Sequence, residues 1–165
     1  MAAAPVISSR TRDQLSRAHR AASAVARLDT EAKNSILLTM ARDLEWNQDR
    51  ILAANAQDLS ADLTVAVRDR LLLNPERIGS MVEGIRAVAA LDDPVGKVIA
   101  QWTRPNGLRI RQIRVPLGVL GVVYEARPNV TADAIALALK AGNTVVLRGG
   151  RDATRTNQVL VAILS

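Results

Sequence analysis

Two arginines follow apolar segments that have the composition of neighbouring buried strands. Arg127 stands after "LGVLGVVY" in the motif "YEARPNV", and Arg148 ends the segment "NTVVLR". Pro128 favours an extended backbone at Arg127, which holds the guanidinium close to the end of its strand. Because a planar guanidinium suits carboxylate and phosphate groups, the pattern predicts an anionic ligand at these strand ends. The alternative is a structural ion pair between Arg127 and Glu125 or Asp133.

Asn129 and the two glycines after Arg148 each have two interpretations. The Asn129 amide can donate to a developing oxyanion, but asparagine is also a common helix cap, and the spacing favours a cap for a helix at Thr131. Gly149 and Gly150 allow a ribose or phosphate to approach the backbone closely, or they simply form a turn. The candidate cofactor-binding residues are therefore Arg148, Gly149 and Gly150.

Several other chemistries have little support in this sequence. The chain contains no cysteine, which excludes thiolate metal ligands and a cysteine nucleophile within these 165 residues. His19 has no acid or second histidine nearby and is expected at the surface, while Lys140 is explained by the dipole at a helix C-terminus. Gly118 and Gly121 do not form the G-x-G-x-x-G dinucleotide fingerprint, and no acidic residues have metal-ligand spacing.

The charge and composition of the chain also limit the classes of partner that it is expected to bind. The formal net charge is +6, which suits nucleic acid or anionic small ligands. Aromatic residues make up only 2% of the chain, so there are few platforms on which bases could stack. No window approaches the roughly 18 unbroken apolar residues of a membrane span. We therefore expect a cytoplasmic protein with a small-molecule ligand and no nucleic-acid or membrane partner.

Residues 1–91 are predicted to be helical throughout. Apolar residues recur at helical spacing in five segments, which cover residues 13–28, 31–46, 48–56, 64–73 and 75–91. Asp29 and Thr30 are suited to cap the second helix, and Asn74 with Pro75 opens the fifth.

The remaining residues change in character. Residues 92–116 alternate apolar and polar side chains around the turn Pro105-Asn106-Gly107, which predicts an antiparallel hairpin. The pattern does not determine the register of its two strands. Residues 117–165 are typical of a strand, a helix over 131–141 capped by Gly142, a second strand and the start of another helix. A right-handed connection makes the two strands parallel, so their carboxyl ends meet at one edge, where α/β sheets bind ligands. Because two strands make an incomplete sheet, we expect an incomplete α/β domain.

Several stretches together resemble one known family. They are "LDTEAKN", "ILAANAQDL", "DRLLLNPERI", "DPVG", "RVPLGVLGVVYEARPNVT", "KAGNTVVLRGG" and "TN" at Thr156-Asn157. In this order they are similar to the gamma-glutamyl phosphate reductases, also called glutamate-5-semialdehyde dehydrogenases, of the aldehyde dehydrogenase superfamily. The resemblance covers almost the whole chain and matches the N-terminal part of the family only.

The resemblance implies an aldehyde dehydrogenase-like α/β fold and a role in proline biosynthesis. The implied reaction is the reduction of L-glutamyl 5-phosphate with NADPH to L-glutamate 5-semialdehyde and phosphate, through a thioester on a cysteine that this sequence lacks. Arg148 would contact the cofactor ribose or its 2′-phosphate, and Arg127 or Asn129 would meet the oxyanion or the substrate.

The resemblance also implies a domain organisation. Residues 1–91 would be the helical part of the cofactor-binding domain, residues 92–116 a hairpin of the oligomerisation region, and residues 117–165 the truncated start of the Rossmann-like NADPH-binding unit. The catalytic domain would be absent, and the full-length protein would be a homo-oligomer. Two alternatives stay open, which are a catalytically inactive cofactor-binding or interaction fragment and a basic nucleic-acid binder.

Overall fold

The computed structural model describes residues 7–59 and 62–165. Five helices come first, and they are α1 Ser9–Val25, α2 Thr30–Trp46, α3 Gln48–Asp58, α4 Val65–Leu71 and α5 Pro75–Ala90. Four of these helices start where a side-chain oxygen accepts from a backbone amide, and the caps are Ser8, Asp29, Thr64 and Asn74. The Ser8 cap explains why α1 begins four residues before the apolar periodicity that predicted it.

A hairpin follows, as the alternation predicted. Strand β1, Val98–Thr103, pairs antiparallel with β2, Arg109–Ile113. The register places Trp102 opposite Ile110 and shifts between Val98 and Ala100, which is the irregularity that left the sequence-based register open. Most of the hairpin is exposed.

The last segment is a parallel strand-helix-strand unit, which confirms the predicted pairing. It consists of β3 Val119–Val123, α6 Pro128–Lys140 and β4 Thr144–Arg148, followed by a short 3-10 turn and α7 Thr154–Ile163. Gly142, just past the end of α6, has a φ of +73°, and the amide of Asn143 donates to Ala138 O. A left-handed residue at this place lets the chain turn directly from α6 into β4.

The start of α6 differs from the sequence-based expectation. Pro128 occupies the first turn and Arg127 is the cap residue, without a side-chain capping bond. The predicted cap role of Asn129 is therefore wrong, because proline at the first helical position already starts the helix three residues before Thr131. Asn129 instead lies exposed in the first turn of α6.

One apolar core joins the helical part to the strand-helix-strand unit. Leu37 of α2, Ile85 of α5, Ala136 of α6 and Leu160 of α7 are all essentially inaccessible to solvent and belong to the same cluster. The N-terminal helices are thus packed directly on the unit whose strand ends carry the two arginines. Among residues 7–59 and 62–165, no helix is long and apolar enough to cross a bilayer.

Candidate functional site

The carboxyl ends of β3 and β4 lie side by side. In the parallel register Val123 is opposite Arg148, and the amide of Tyr124 donates to Arg148 O at 3.1 Å. The chain leaving β3 reaches Arg127 four residues later, so Arg127 and Arg148 belong to the same edge of the sheet. This is the edge at which open α/β sheets bind their ligands.

Arg127 and Asn129 line a cavity of about 490 Å³ beside this edge. Its walls come from α4, α5 and the first turns of α6, and the other lining residues are Asp69, Arg70, Leu72, Leu73, Arg77, Ser80, Met81 and Asp133. Arg127 has φ −133° and ψ 98°, the extended conformation that Pro128 imposes. The cavity therefore holds both sequence-based substrate or oxyanion candidates.

Arg127 also takes part in an ion pair. Its Nε lies 3.6 Å from Glu125 Oε2, and both side chains are more than half exposed. An exposed pair of this kind contributes little to stability, because water screens it and two long side chains must be ordered. The Arg127 guanidinium is consequently accessible to a ligand from the cavity.

Asp133 sits one helical turn after Asn129 and faces the same cavity. Burial raises the pKa of the Asp133 carboxyl, and a hydrogen bond from the Asn129 side chain opposes that rise. Asn129 and Asp133 thus both line the cavity from the first turns of α6. Burial thus disfavours the charged form of the Asp133 carboxyl.

Two further arginines of the cavity are not singled out by the sequence pattern. Arg77 donates to Asp69 Oδ1 at 2.7 Å, to Leu72 O at 2.8 Å and to Asp69 O, which ties α5 to the end of α4. Arg70 Nη1 donates to Glu125 Oε2 at 3.4 Å. The "RDRL" sequence resembles any solvated helix face, and only the tertiary structure shows that α4 and the start of α6 line the same cavity.

Arg148, Gly149 and Gly150 lie at the same edge but outside this cavity. A Cβ on Gly149 would come within 2.4 Å of Asn157 Nδ2, and a Cβ on Gly150 would come within 2.7 Å of the Ala126 amide nitrogen. The protein itself therefore requires both glycines, which explains them without a ligand. The Arg148 side chain is exposed, and within residues 7–59 and 62–165 it has no hydrogen-bond or ion-pair partner.

A hydrogen-bond chain fixes the positions of the two strand exits. Tyr124 Oη lies 2.6 Å from Thr131 Oγ1, which donates to Asn157 Oδ1 at 2.8 Å. Tyr124, Thr131 and Asn157 come from the end of β3, from α6 and from α7, and Tyr124 and Asn157 also contact the Gly149 position. The backbone around Arg127 and Arg148 is thus supported from three elements.

Two residues discussed from the sequence lie away from the site. His19 is exposed on α1, as predicted. Lys140, by contrast, is only 3% exposed and donates to Asn34 Oδ1 at 2.6 Å and Ala89 O at 2.8 Å. Lys140 therefore links α6 to α2 and α5 by hydrogen bonds, in addition to the favourable interaction with the helix dipole that the sequence predicts. Within the described parts of the chain, no group of three or more potential metal ligands occurs.

The chain is similar to the N-terminal part of gamma-glutamyl phosphate reductases. It is 60% identical to the protein of that name from Koribacter versatilis, over 93% of this chain and 38% of that protein. The Moorella thermoacetica protein of the same name is 56% identical over 90% of this chain and 37% of its own length. The chain thus spans less than two fifths of these curated relatives.

Solved structures show the same similarity in three dimensions. The crystal structure of gamma-glutamyl phosphate reductase from Thermotoga maritima matches with a TM-score of 0.89 at 38% identity, over 93% of this chain and 38% of that chain. The Saccharomyces cerevisiae enzyme matches with a TM-score of 0.87 at 32% identity, over 96% and 41%. These matches confirm the predicted aldehyde dehydrogenase-like fold. Residues 6–165 also match the family model of the aldehyde dehydrogenases, and the chain therefore belongs to the aldehyde dehydrogenase family.

Proposed function

We propose that the protein carrying this chain reduces L-glutamyl 5-phosphate to L-glutamate 5-semialdehyde and phosphate with NADPH, as a step of proline biosynthesis. The proposal is supported by relatives named gamma-glutamyl phosphate reductase that are 53–60% identical to this chain. Because the chain spans only part of those relatives, the activity is proposed for the protein as it occurs and not for these residues alone.

One structural observation carries the proposal, and it is the cavity that combines Arg127 with Asn129 at the carboxyl end of β3. A substrate with a carboxylate and an acyl phosphate needs fixed cations and amide donors. The Arg127 guanidinium supplies a planar fork for an anion, and the Asn129 amide supplies a neutral donor for a developing oxyanion. We assign these two residues to substrate and oxyanion binding.

Arg148 is the residue that fits the cofactor. Its exposed guanidinium stands at the end of β4 without a partner in the described parts of the chain, which suits a ribose hydroxyl or the 2′-phosphate of NADPH. When bound, NADPH supplies the hydride for the reduction. Gly149 and Gly150 let the backbone after β4 approach Asn157 and Ala126 closely, and this packing positions Arg148.

The contribution of this chain to the reaction is binding and orientation. The thioester route that the resemblance implies needs a cysteine, and residues 1–165 contain none. Arg127 holds an anionic group, Asn129 faces the carbonyl oxygen, and Arg148 holds the cofactor. The hydrogen-bond chain through Thr131 keeps these groups in a fixed relation, which is what orientation of two ligands requires.

The reverse reaction tests the proposal. The intact mass of the purified protein defines the chain under assay, and the same sample is given glutamate 5-semialdehyde, inorganic phosphate and NADP⁺. Phosphate-dependent formation of NADPH supports the proposed reaction. NADPH binding without turnover supports the alternative of a catalytically inactive cofactor-binding chain. The absence of both NADPH binding and turnover would contradict both functions.

We also propose that the protein forms a homo-oligomer through the β1–β2 hairpin. Apolar side chains of the hairpin segment are about half exposed, and they include Val98, Ile99, Trp102, Leu108 and Ile113. A concentration of exposed apolar side chains in one segment is typical of interaction surfaces. Light scattering on the intact protein tests this, and a monomeric mass at micromolar concentration would contradict it.

A further inference from the structure

Glu125 occupies the space between two arginines of the cavity wall. Its Oε2 oxygen lies 3.4 Å from Arg70 Nη1 and 3.6 Å from Arg127 Nε. The two cations come from different elements, α4 and the start of α6, and they converge on one oxygen of one carboxylate. A carboxylate placed between two guanidinium groups has the geometry of a bound anion.

The position of Arg70 is fixed by its helix. Asn55, which is 1% exposed, donates to Leu71 O at 2.8 Å and accepts from the Leu73 amide at 2.8 Å. Arg77 donates to Leu72 O at 2.8 Å at the same end of α4. These three bonds hold the residues that follow Arg70, so the backbone of α4 keeps Arg70 beside the cavity, where its side chain is 47% exposed.

Three arginines line the cavity, and Arg70 and Arg127 are the two whose carboxylate contacts are long, so an external anion can bind them. Arg77 is matched by Asp69, at 2.7 Å. Arg70 and Arg127 share Glu125, whose side chain is 68% exposed and has only these two ion-pair partners within residues 7–59 and 62–165. Both ion pairs of Glu125 are long and exposed, so they are weak and a dianion can replace them.

We propose that Arg70 is a further substrate-binding residue, and that Glu125 occupies the anion site between Arg70 and Arg127 until an anionic group of the substrate replaces it. This inference rests on the proposed function, because the substrate class is taken from it. Glu125 then acts as an internal competitor, which keeps the two guanidinium groups apart and oriented before the substrate binds. The occupant is either the phosphate or the carboxylate of the substrate, since both are anions of suitable size.

Equilibrium binding of two probes to the intact protein tests the inference without requiring turnover. Calorimetry measures the Kd of inorganic phosphate and of glutarate, which carries carboxylates and no phosphate. Glu125→Gln is expected to lower the Kd of the probe that uses the site by about threefold to fivefold, and Arg70→Gln to raise it by about the same factor. In the Arg70→Gln background, Glu125→Gln is expected to have less than half of its effect.

Matched controls separate the site from general charge effects. Glu45→Gln removes a carboxylate with a similarly exposed arginine partner, Arg86, and is expected to leave both Kd values unchanged. Arg70→Lys keeps the charge and covers the case that Arg70→Gln does not fold, and it should bind the probe more tightly than Arg70→Gln or, if that variant is lost, more weakly than the wild type by less than threefold.

The outcomes distinguish the inference from the proposed function. A shift for phosphate, for glutarate or for both supports the anion site and says which group occupies it. Unchanged Kd values in Glu125→Gln, or shifts equal to those of Glu45→Gln, would overturn the inference even in an active enzyme. If the probes respond as expected while the reverse reaction is absent, the anion site stands and the proposed reaction fails.

Discussion

Two cation-carboxylate contacts in this chain differ sharply in their surroundings. Lys33 and Asp93 are 2.8 Å apart, and their side chains are 1% and 12% exposed. Arg127 and Glu125 are 3.6 Å apart, and their side chains are 51% and 68% exposed. The first contact joins α2 to the segment that leads into the hairpin, while the second lies at the edge of the candidate site. The core pair is short and buried, whereas the strand-end pair is longer and exposed, which is the arrangement that the proposed anion binding requires.

The difference lies in how fully each carboxylate is satisfied. Burial acts to raise the pKa of Asp93, but hydrogen bonds from Lys33, the Val95 amide and Thr30 outweigh it, so the pKa is lowered. Glu125 is contacted only by two exposed arginines among the described residues. Substitution of Asp93 should therefore lower the stability of the fold, whereas substitution of Glu125 should change ligand binding and leave stability nearly unchanged.

The largest expected effect on stability follows Asp93→Asn. Removing this carboxylate leaves the Lys33 ammonium buried without a counter-charge, which is expected to lower the free energy of unfolding by about 3 kcal/mol near pH 7. Denaturant unfolding followed by circular dichroism measures the change. A loss below about 1 kcal/mol would show that the core pair is no more important than a surface pair.

The pH dependence of the same variant sharpens the test. Because the folded-state pKa of Asp93 is lowered, the ionised carboxylate stabilises the fold above the unfolded-state pKa near 4, and that contribution is lost as the pH falls through the lower folded-state pKa. The stability difference between wild type and Asp93→Asn should be constant around neutrality and shrink below about pH 4. A difference that grows on acidification would contradict this assignment.

Asn55→Ala is expected to have the next largest effect. The side chain is buried, and its loss leaves Leu71 O and the Leu73 amide without partners, which costs about 2 kcal/mol. Because these bonds also hold the end of α4, phosphate or glutarate binding should weaken together with stability. Unchanged stability in Asn55→Ala would separate α4 from the core and remove the support for Arg70.

Gly150→Ala tests the crowded exit of β4. The added methyl group would meet the Ala126 amide nitrogen at 2.7 Å, so the backbone must shift, at an expected cost of about 1–2 kcal/mol. Arg148 follows that shift, and the KM for NADPH should rise. Gly79→Ala is a matched control, because a Cβ there has no neighbour within 4 Å. Equal stability of the two variants would show that the exit is not tightly packed.

Glu125→Gln is expected to have the smallest effect on stability, within about 0.5 kcal/mol of the wild type. The side chain is exposed and its two ion pairs are long. The same denaturant measurement used for Asp93→Asn gives the direct comparison of the two regions. A loss above about 1.5 kcal/mol would mean that Glu125 is a structural clamp and that Arg127 is not free for a ligand.

Much of the fold is predictable from the sequence because local signals agree with the tertiary structure. The caps at Asp29 and Asn74, the proline turn of the hairpin and the apolar segments of β3 and β4 each predict elements that the structure contains. The error at Asn129 has a physical cause. Proline is favoured at the first position of a helix, so α6 begins at Pro128 and Asn129 lies inside the helix although asparagine is a good capping residue.

The site is less predictable, because its residues come together only through packing. Arg127 and Arg148 are visible in the sequence as cations after strands, but Arg70 lies 57 positions before Arg127 on a helix with ordinary surface composition. Lys33 and Asp93 are equally inconspicuous, since a charged residue at a helix end is usually solvated. Burial of these two side chains is decided by α2 and α5 meeting beside them, which no local pattern encodes.

The most direct test of the account is the phosphate KM of the reverse reaction in Arg127→Gln, measured beside Arg86→Gln and the wild type. Arg86 is an exposed arginine with two carboxylate partners away from the cavity, so it controls for loss of a surface charge. The account predicts a KM raised at least about tenfold in Arg127→Gln, with unfolding unchanged and Arg86→Gln like the wild type. Equal KM values in all three proteins would contradict the claim that the strand-end arginine binds the anionic ligand.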